Sequence, residues 1–101
     1  MVDKLYEIAW SKRSQTHMKE AYSHISKDSL KNAAKVLEDI IKAVTKAKSN
    51  PEYYNLDKYK SANDGSYRAF EKHHYRISYR VMDNAIVILR VRHTSMMPKK
   101  Y

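Results

Sequence analysis

Apolar positions recur every three to four residues through the first half of the chain and alternate with polar ones in the second half. Met18, Ala21, Tyr22 and Ile25 form one stripe of a helix over Lys12 to about Ile25, with Lys19, Glu20 and Ser23 away from it. Ser26-Lys27-Asp28-Ser29 supplies capping side chains. Beyond it Leu30, Ala33, Ala34, Leu37, Ile40, Ile41 and Val44 keep the 3.6-residue period to about Lys48. So short a connection predicts an αα-hairpin with one shared apolar stripe. Asn50-Pro51 closes it, because proline lacks an amide donor and disfavours helical geometry in the residue before it.

Leu5-Tyr6-Glu7-Ile8-Ala9-Trp10 precedes the first helix as a short apolar and aromatic strand, with Ser11 placed to cap the helix. Between Pro51 and Gly65 no period holds, which predicts an ordered loop. Three strand-like runs follow, Ser66 to Lys72, Tyr75 to Met82 and Ile86 to His93, separated by His73-His74 and Asp83-Asn84-Ala85. They predict an antiparallel meander. The expectation is one α+β domain over residues 1–101, with the N-terminal αα-hairpin packed on one face of a twisted antiparallel sheet of about four strands.

Alternation sorts the last two runs into faces. Tyr75, Ile77, Tyr79 and Val81 share one side, and Arg76, Ser78, Arg80 and Met82 the other. In the final run Val87, Leu89, Val91 and His93 alternate with Ile86, Ile88, Arg90 and Arg92. Pairing Met82 with Ile86 around a three-residue turn superposes the mostly apolar sets and gathers the arginines on one basic face. Arg76 then sits across from Arg92, a repulsive pair that an anion would relieve. Arg68, Phe70 and Lys72 alternate onto one side of the preceding strand, expected to be the same basic face.

Composition sharpens this picture. Lys plus Arg number 20 against 11 Asp plus Glu, a formal charge of +9 that attracts polyanions or an acidic protein. Five of the six arginines follow Gly65, so the rigid guanidinium forks belong to the sheet and the flexible lysines mainly to the helices. With no cysteine, disulfides and Cys-ligated metal sites are excluded. No apolar run approaches the roughly 20 residues of a membrane span, and the start of the chain lacks the layout of a secretory signal, so a cytoplasmic protein without membrane contact is expected. A single glycine leaves no Gly-rich phosphate loop, and neither HExxH nor a carboxylate cluster is present, so neither metal nor cofactor is expected.

Guanidinium groups beside Phe70 suit phosphates and a stacked base. Metal-free RNA cleavage needs a group to take the 2′-hydroxyl proton, a cation for the phosphorane and a donor for the leaving oxygen. His93, His73, His74 and Tyr101 carry suitable protons, and Arg76, Arg90 and Arg92 suitable charge. The three tyrosines of the loop and Met96-Met97-Pro98 read as packing and surface residues rather than a cofactor box.

The strand Tyr6-Glu7-Ile8-Ala9-Trp10-Ser11, the helix with Ala33-Ala34-Lys35-Val36-Leu37-Glu38-Asp39-Ile40, and the block Gly65-Ser66-Tyr67-Arg68-Ala69-Phe70 follow a familiar order. Tyr75-Arg76-Ile77-Ser78-Tyr79-Arg80-Val81, followed by Ile86 to Arg92 and His93-Thr94, is the most specific part. Together they resemble the RelE/ParE superfamily of bacterial type II toxins, described also as plasmid stabilisation proteins. The resemblance implies a growth-arresting toxin held by a cognate antitoxin, acting either on ribosome-bound mRNA or on DNA gyrase. The mRNA-cleaving branch is matched at Arg68, Arg76 and Tyr101, and with the shared basic face this implies a scissile phosphate on Arg76, backbone contacts from Arg68 and Lys72, a base on Phe70, and His93 and then Tyr101 as acid–base groups. Arg80, Arg90 and Arg92 complete the expected RNA-binding face. The sequence departs from that branch at Ala69-Phe70, where a second basic residue is expected, and at His93-Thr94, where an arginine is expected.

Overall fold

The computed structural model describes residues 5–96 and 100–101. Its elements run in the order β1 (Glu7–Trp10), α1 (Lys12–Ser26), α2 (Leu30–Lys46), β2 (Tyr67–Lys72), β3 (Tyr75–Val81) and β4 (Ala85–His93). Both helices start where a serine hydroxyl is available. Ser11 accepts from the Ser14 amide and Ser29 from the Asn32 amide, each satisfying an orphan donor of the first turn.

The strands form one sheet in the order β1-β4-β3-β2. The meander β2-β3-β4 is antiparallel as expected, whereas β1 lies parallel to β4, so the sheet is mixed. Parallel neighbours need a long crossover, and everything between β1 and β4 supplies it. Beyond Trp10 the chain turns into α1, which takes over the free edge of β4: the Ser11 amide donates to the Ile88 carbonyl and the Val91 amide to His17 Nδ1.

The hairpin packs on one sheet face, where Val36, Ile40, Val44 and Ala47 of the α2 segment and Ala21 of α1 meet Tyr75, Ile77, Tyr79, Ile86, Ile88 and Val91. This apolar burial is the main source of stability.

The register corrects two expectations about the faces. The β3–β4 turn is Asp83-Asn84, with the Met82 amide on the Ala85 carbonyl, and Val81 rather than Met82 faces Ile86. A β-bulge then falls opposite Ser78/Tyr79: Tyr79 pairs with Ile88 but Ser78 with Arg90, leaving Leu89 as the extra residue. Strict alternation assigns Ile86 and Ile88 to the arginine side. The bulge places them in the core, fully buried, while Arg90 and Arg92 stay on the opposite face.

The second correction concerns β2. Lys72 faces Tyr75 across the two-residue turn His73-His74, so Phe70 pairs with Ile77 and Arg68 with Tyr79. Arg68, Phe70 and Lys72 therefore sit on the helix side, and Tyr67, Ala69 and Glu71 on the arginine side. Both turn histidines have positive φ, 51° and 66°, the geometry of the tight hairpin turn that follows strand twist.

Candidate functional site

The sheet face away from the helices carries Arg76, Ser78 and Arg80 of β3 beside Arg90 and Arg92 of β4. Arg76 and Arg92 are direct cross-strand partners, as alternation predicts. The anion that relieves their repulsion comes from the loop between α2 and β2.

That loop is anchored by its aromatic residues and by β2. Tyr54 donates to the Ala43 carbonyl at 2.7 Å and stacks on Phe70 with ring centroids 4.1 Å apart. Tyr79 donates to the Pro51 carbonyl at 2.7 Å, and Arg68 Nη1 to the Tyr54 carbonyl at 2.7 Å. Asn55 and Asp57 then pair with the outer edge of β2, through Ala69 N to Asn55 O and Asp57 N to Tyr67 O. From there the chain crosses onto the arginine face. Phe70 and Arg68 thus hold the loop from the helix side of the sheet, not from the basic face expected of them.

Asp57 is the hub of the crossing and is 2% exposed. Its carboxylate accepts from Arg76 Nη2 at 2.9 Å, from the Tyr101 hydroxyl at 2.6 Å and from the Tyr59 amide at 3.0 Å. Burial pushes its proton affinity up, but the bonds from Tyr101 and Arg76 outweigh it and hold the group below the usual carboxylate range. The Tyr101 phenol is pushed well above its ordinary value, by burial first and by Asp57 second. It stays protonated and donates to Asp57.

Tyr59 and Tyr101 form an aromatic rim. The Arg76 guanidinium lies 4.8 Å from the Tyr59 ring and that of Arg90 4.4 Å from the Tyr101 ring. The Tyr101 amide donates to the Tyr59 carbonyl, while Ser61 N and Lys60 Nζ donate to the Tyr101 carbonyl oxygen. Tyr101 is therefore fastened to the loop as well as to the sheet.

A cleft of about 170 Å3 is left between this rim and the end of β4. Arg76, Arg90, Arg92, His93 and Tyr101 all line it, so the expected catalytic residues Arg76, His93 and Tyr101 come together there. His93 Nδ1 accepts the Ser95 amide at 3.0 Å, which leaves the proton of the neutral ring on Nε2. Arg80 shares the face but is drawn to the turn before β2, with Nε on Ser66 and Nη2 3.8 Å from Asp64. His73 is bound to Asp39 of α2 at 2.7 Å, away from the cleft. Met97 and Pro98 lie outside the described residues.

Two cleft residues escaped the sequence reading. Asp57 sits in an aperiodic loop, and its only trace was the unrelieved Arg76–Arg92 pair. Glu71 of β2 faces Arg76, with its carboxylate 3.4 Å from Nη1 and 57% exposed. Its signal was the parity of β2, legible once His73-His74 is taken as a two-residue turn. Among the described residues no group of His, Asp or Glu is arranged to hold a metal ion, and no helix is long and apolar enough to cross a membrane.

Residues 8–98 match the family model described as ParE toxin of type II toxin-antitoxin system, parDE. No curated protein matches the chain. Among solved structures, a chain of the chromosomal ParDE system from P. aeruginosa superposes with a TM-score of 0.71 at 17% identity, over 88% of this chain and 96% of that one. A chain of the RelBE2 toxin–antitoxin complex from Mycobacterium tuberculosis gives 0.61 at 16% identity, over 89% and 92%. The YoeB dimer from Staphylococcus aureus gives 0.55 at 20% identity, over 87% and 95%. At these identities the superpositions establish a shared fold.

Proposed function

Since the chain belongs to the ParE toxin family of type II toxin–antitoxin systems, we propose that this toxin arrests growth by cleaving mRNA on the ribosome and is neutralised by a cognate antitoxin. The observation that carries the reading is the convergence of Arg76, Arg90, Arg92 and His93 on one cleft that the helices leave open.

The roles follow from the partners. Asp57 holds the Nη2 end of Arg76. Among the described residues its Nη1 end has only the long contact to exposed Glu71, so a phosphate oxygen can take that place. Arg90 and Arg92 bring the charge that stabilises a pentacoordinate phosphorus. The 2′-oxygen attacks phosphorus as its proton passes to the Glu71 carboxylate, and the bond from phosphorus to the 5′-oxygen breaks. His93 Nε2–H protonates that leaving oxygen. The products are a 2′,3′-cyclic phosphate and a free 5′-hydroxyl. Tyr101, with its hydroxyl committed to Asp57, is a positioning residue.

Purified toxin added to ribosomes programmed with a reporter mRNA should cut within codons, as read by primer extension. Arg92→Ala and His93→Gln should each slow the cut by roughly 100-fold or more, in line with loss of a transition-state cation or an acid. Intact mRNA in that reaction would sink the reading. One observation favours gyrase poisoning as a second reading: Asp57 already neutralises Arg76, leaving a face suited to a protein partner. In that case mRNA stays whole while plasmid DNA is broken in a gyrase reaction.

A further inference from the structure

A second cleft opens beside His93, between α1 and the end of β4. Its volume of about 550 Å3 lies within the roughly 300–1,000 Å3 span of small-ligand sites. His17, Glu20 and His24 line it from α1, and Tyr75, Arg92 and His93 from the sheet.

Two of the three imidazoles here, His17 and His93, are fixed as donors. His17 Nδ1 accepts the Val91 amide at 3.1 Å, and His93 Nδ1 accepts the Ser95 amide at 3.0 Å. In a neutral ring the proton then sits on Nε2. Burial and the nearby Arg92 charge favour the neutral form of His17. A metal-binding histidine needs the reverse arrangement, with the second ring nitrogen donating outward, so this grouping is not built for a cation.

Its walls are aromatic. The His93 ring meets Tyr75 edge-on at 5.2 Å and His24 edge-on at 6.3 Å. Ring N–H donors, a single carboxylate acceptor at Glu20 and flat aromatic surfaces together match the edge and face of an unstacked nucleobase. Arg92 and His93 line both clefts, so the two adjoin at the end of β4. A strand with its phosphate on the arginines would leave its neighbouring base at this opening.

We infer that the α1–β4 cleft is a nucleobase subsite, resting on the RNA reading of the arginine cleft. Glu20 favours bases whose edges carry amino groups over uracil, which offers one imide N–H.

The test uses the full chain and a fluorescein-labelled RNA hexanucleotide, with a second copy lacking one base at a single position, both followed by anisotropy. Wild type should bind the abasic strand about tenfold more weakly, the scale of one stacked base. His24→Ala should bind both strands equally, since His24 is exposed and its loss spares the core. Glu20→Gln should change the ranking of the four homohexamers. An equal abasic penalty in wild type and His24→Ala would overturn the subsite while leaving the RNA reading intact. Failure of wild type to bind either strand would overturn both.

Discussion

Replacing Asp57 with Asn tests the hub on which the arginine face depends. The carboxylate accepts from Tyr101, Arg76 and Tyr59. The amide keeps one oxygen and points N–H groups at the remaining donors. Breaking a buried ion pair from one side costs about 3–5 kcal/mol. Here Arg76 is 15% exposed and keeps Glu71, so the loss falls at or just below the bottom of that range, about 2–3 kcal/mol. For a domain with an unfolding free energy of about 5–15 kcal/mol and a urea slope of about 1–3 kcal/mol per molar, the midpoint should fall by about 1–2 M. The loss must also depend on pH. Asp57 has a depressed folded value, so the unfolded chain takes up its proton first as pH falls. Its contribution is complete above the unfolded value of about 3.9 and vanishes as pH drops through the folded one. Urea melts of both proteins across this range should therefore show a gap that is wide at neutral pH and closes in acid. A neutral-pH difference below about 0.5 kcal/mol, or a gap that does not vary with pH, would refute the hub.

Other changes probe the rest of the frame. Deleting Leu89 removes the bulge residue and leaves Ile88 and Arg90 adjacent on opposite faces, so the protein should still fold by far-UV circular dichroism; deleting Val87 should not be tolerated, because it turns Ile86 out of the core. His74→Gly should add about 1 kcal/mol of stability, read as a higher urea midpoint, since φ of 66° strains a side-chain-bearing residue. Phe70→Ala and Arg68→Ala should each cost about 1–3 kcal/mol by releasing the loop, read as a lower urea midpoint. The Tyr79 hydroxyl is pushed up to about 12, chiefly by burial, so the unfolded chain loses this proton first and stability should fall with rising pH above about 10; Tyr79→Phe should flatten that alkaline limb.

Periodicity was enough for the two helices and the meander, because helix stripes and strand alternation are local properties that burial enforces residue by residue. It failed where a single residue changes phase. Nothing in Ile86-Val87-Ile88-Leu89-Arg90 marks Leu89 as a bulge, since any two of its residues satisfy alternation. The face of β2 was hidden differently. His-His lacks the Asn-Gly or Asp-Gly signature of a two-residue turn, although Phe70 falls in phase with Ile77 only if the turn has that length. Resemblance alone groups Arg76, His93 and Tyr101, since alternation sets His93 on the side opposite Arg76 and Tyr101 follows the last strand, whereas Asp57 depends on a chain crossing that no local pattern encodes.

The bulge explains how one strand can serve both core and site. In an unbroken ladder Ile86, Ile88, Arg90 and Arg92 share a side, which would either expose two isoleucines or bury two guanidinium groups. Burying an unpaired charge costs several kcal/mol even after relaxation, far more than one irregular pair in a ladder. Leu89 resolves the conflict by reversing the phase, and α1 steadies the disturbed edge through Ser11 Oγ on the Leu89 carbonyl at 3.2 Å. Downstream of that point both arginines reach the open face, and Arg92 is forced against Arg76. Asp57 balances one of these charges from beneath the rim, and exposed Glu71 contributes only a 3.4 Å contact at the surface. Under the proposed RNA reading an incoming phosphate would have to displace the weak partner alone, while the buried one keeps Arg76 aimed.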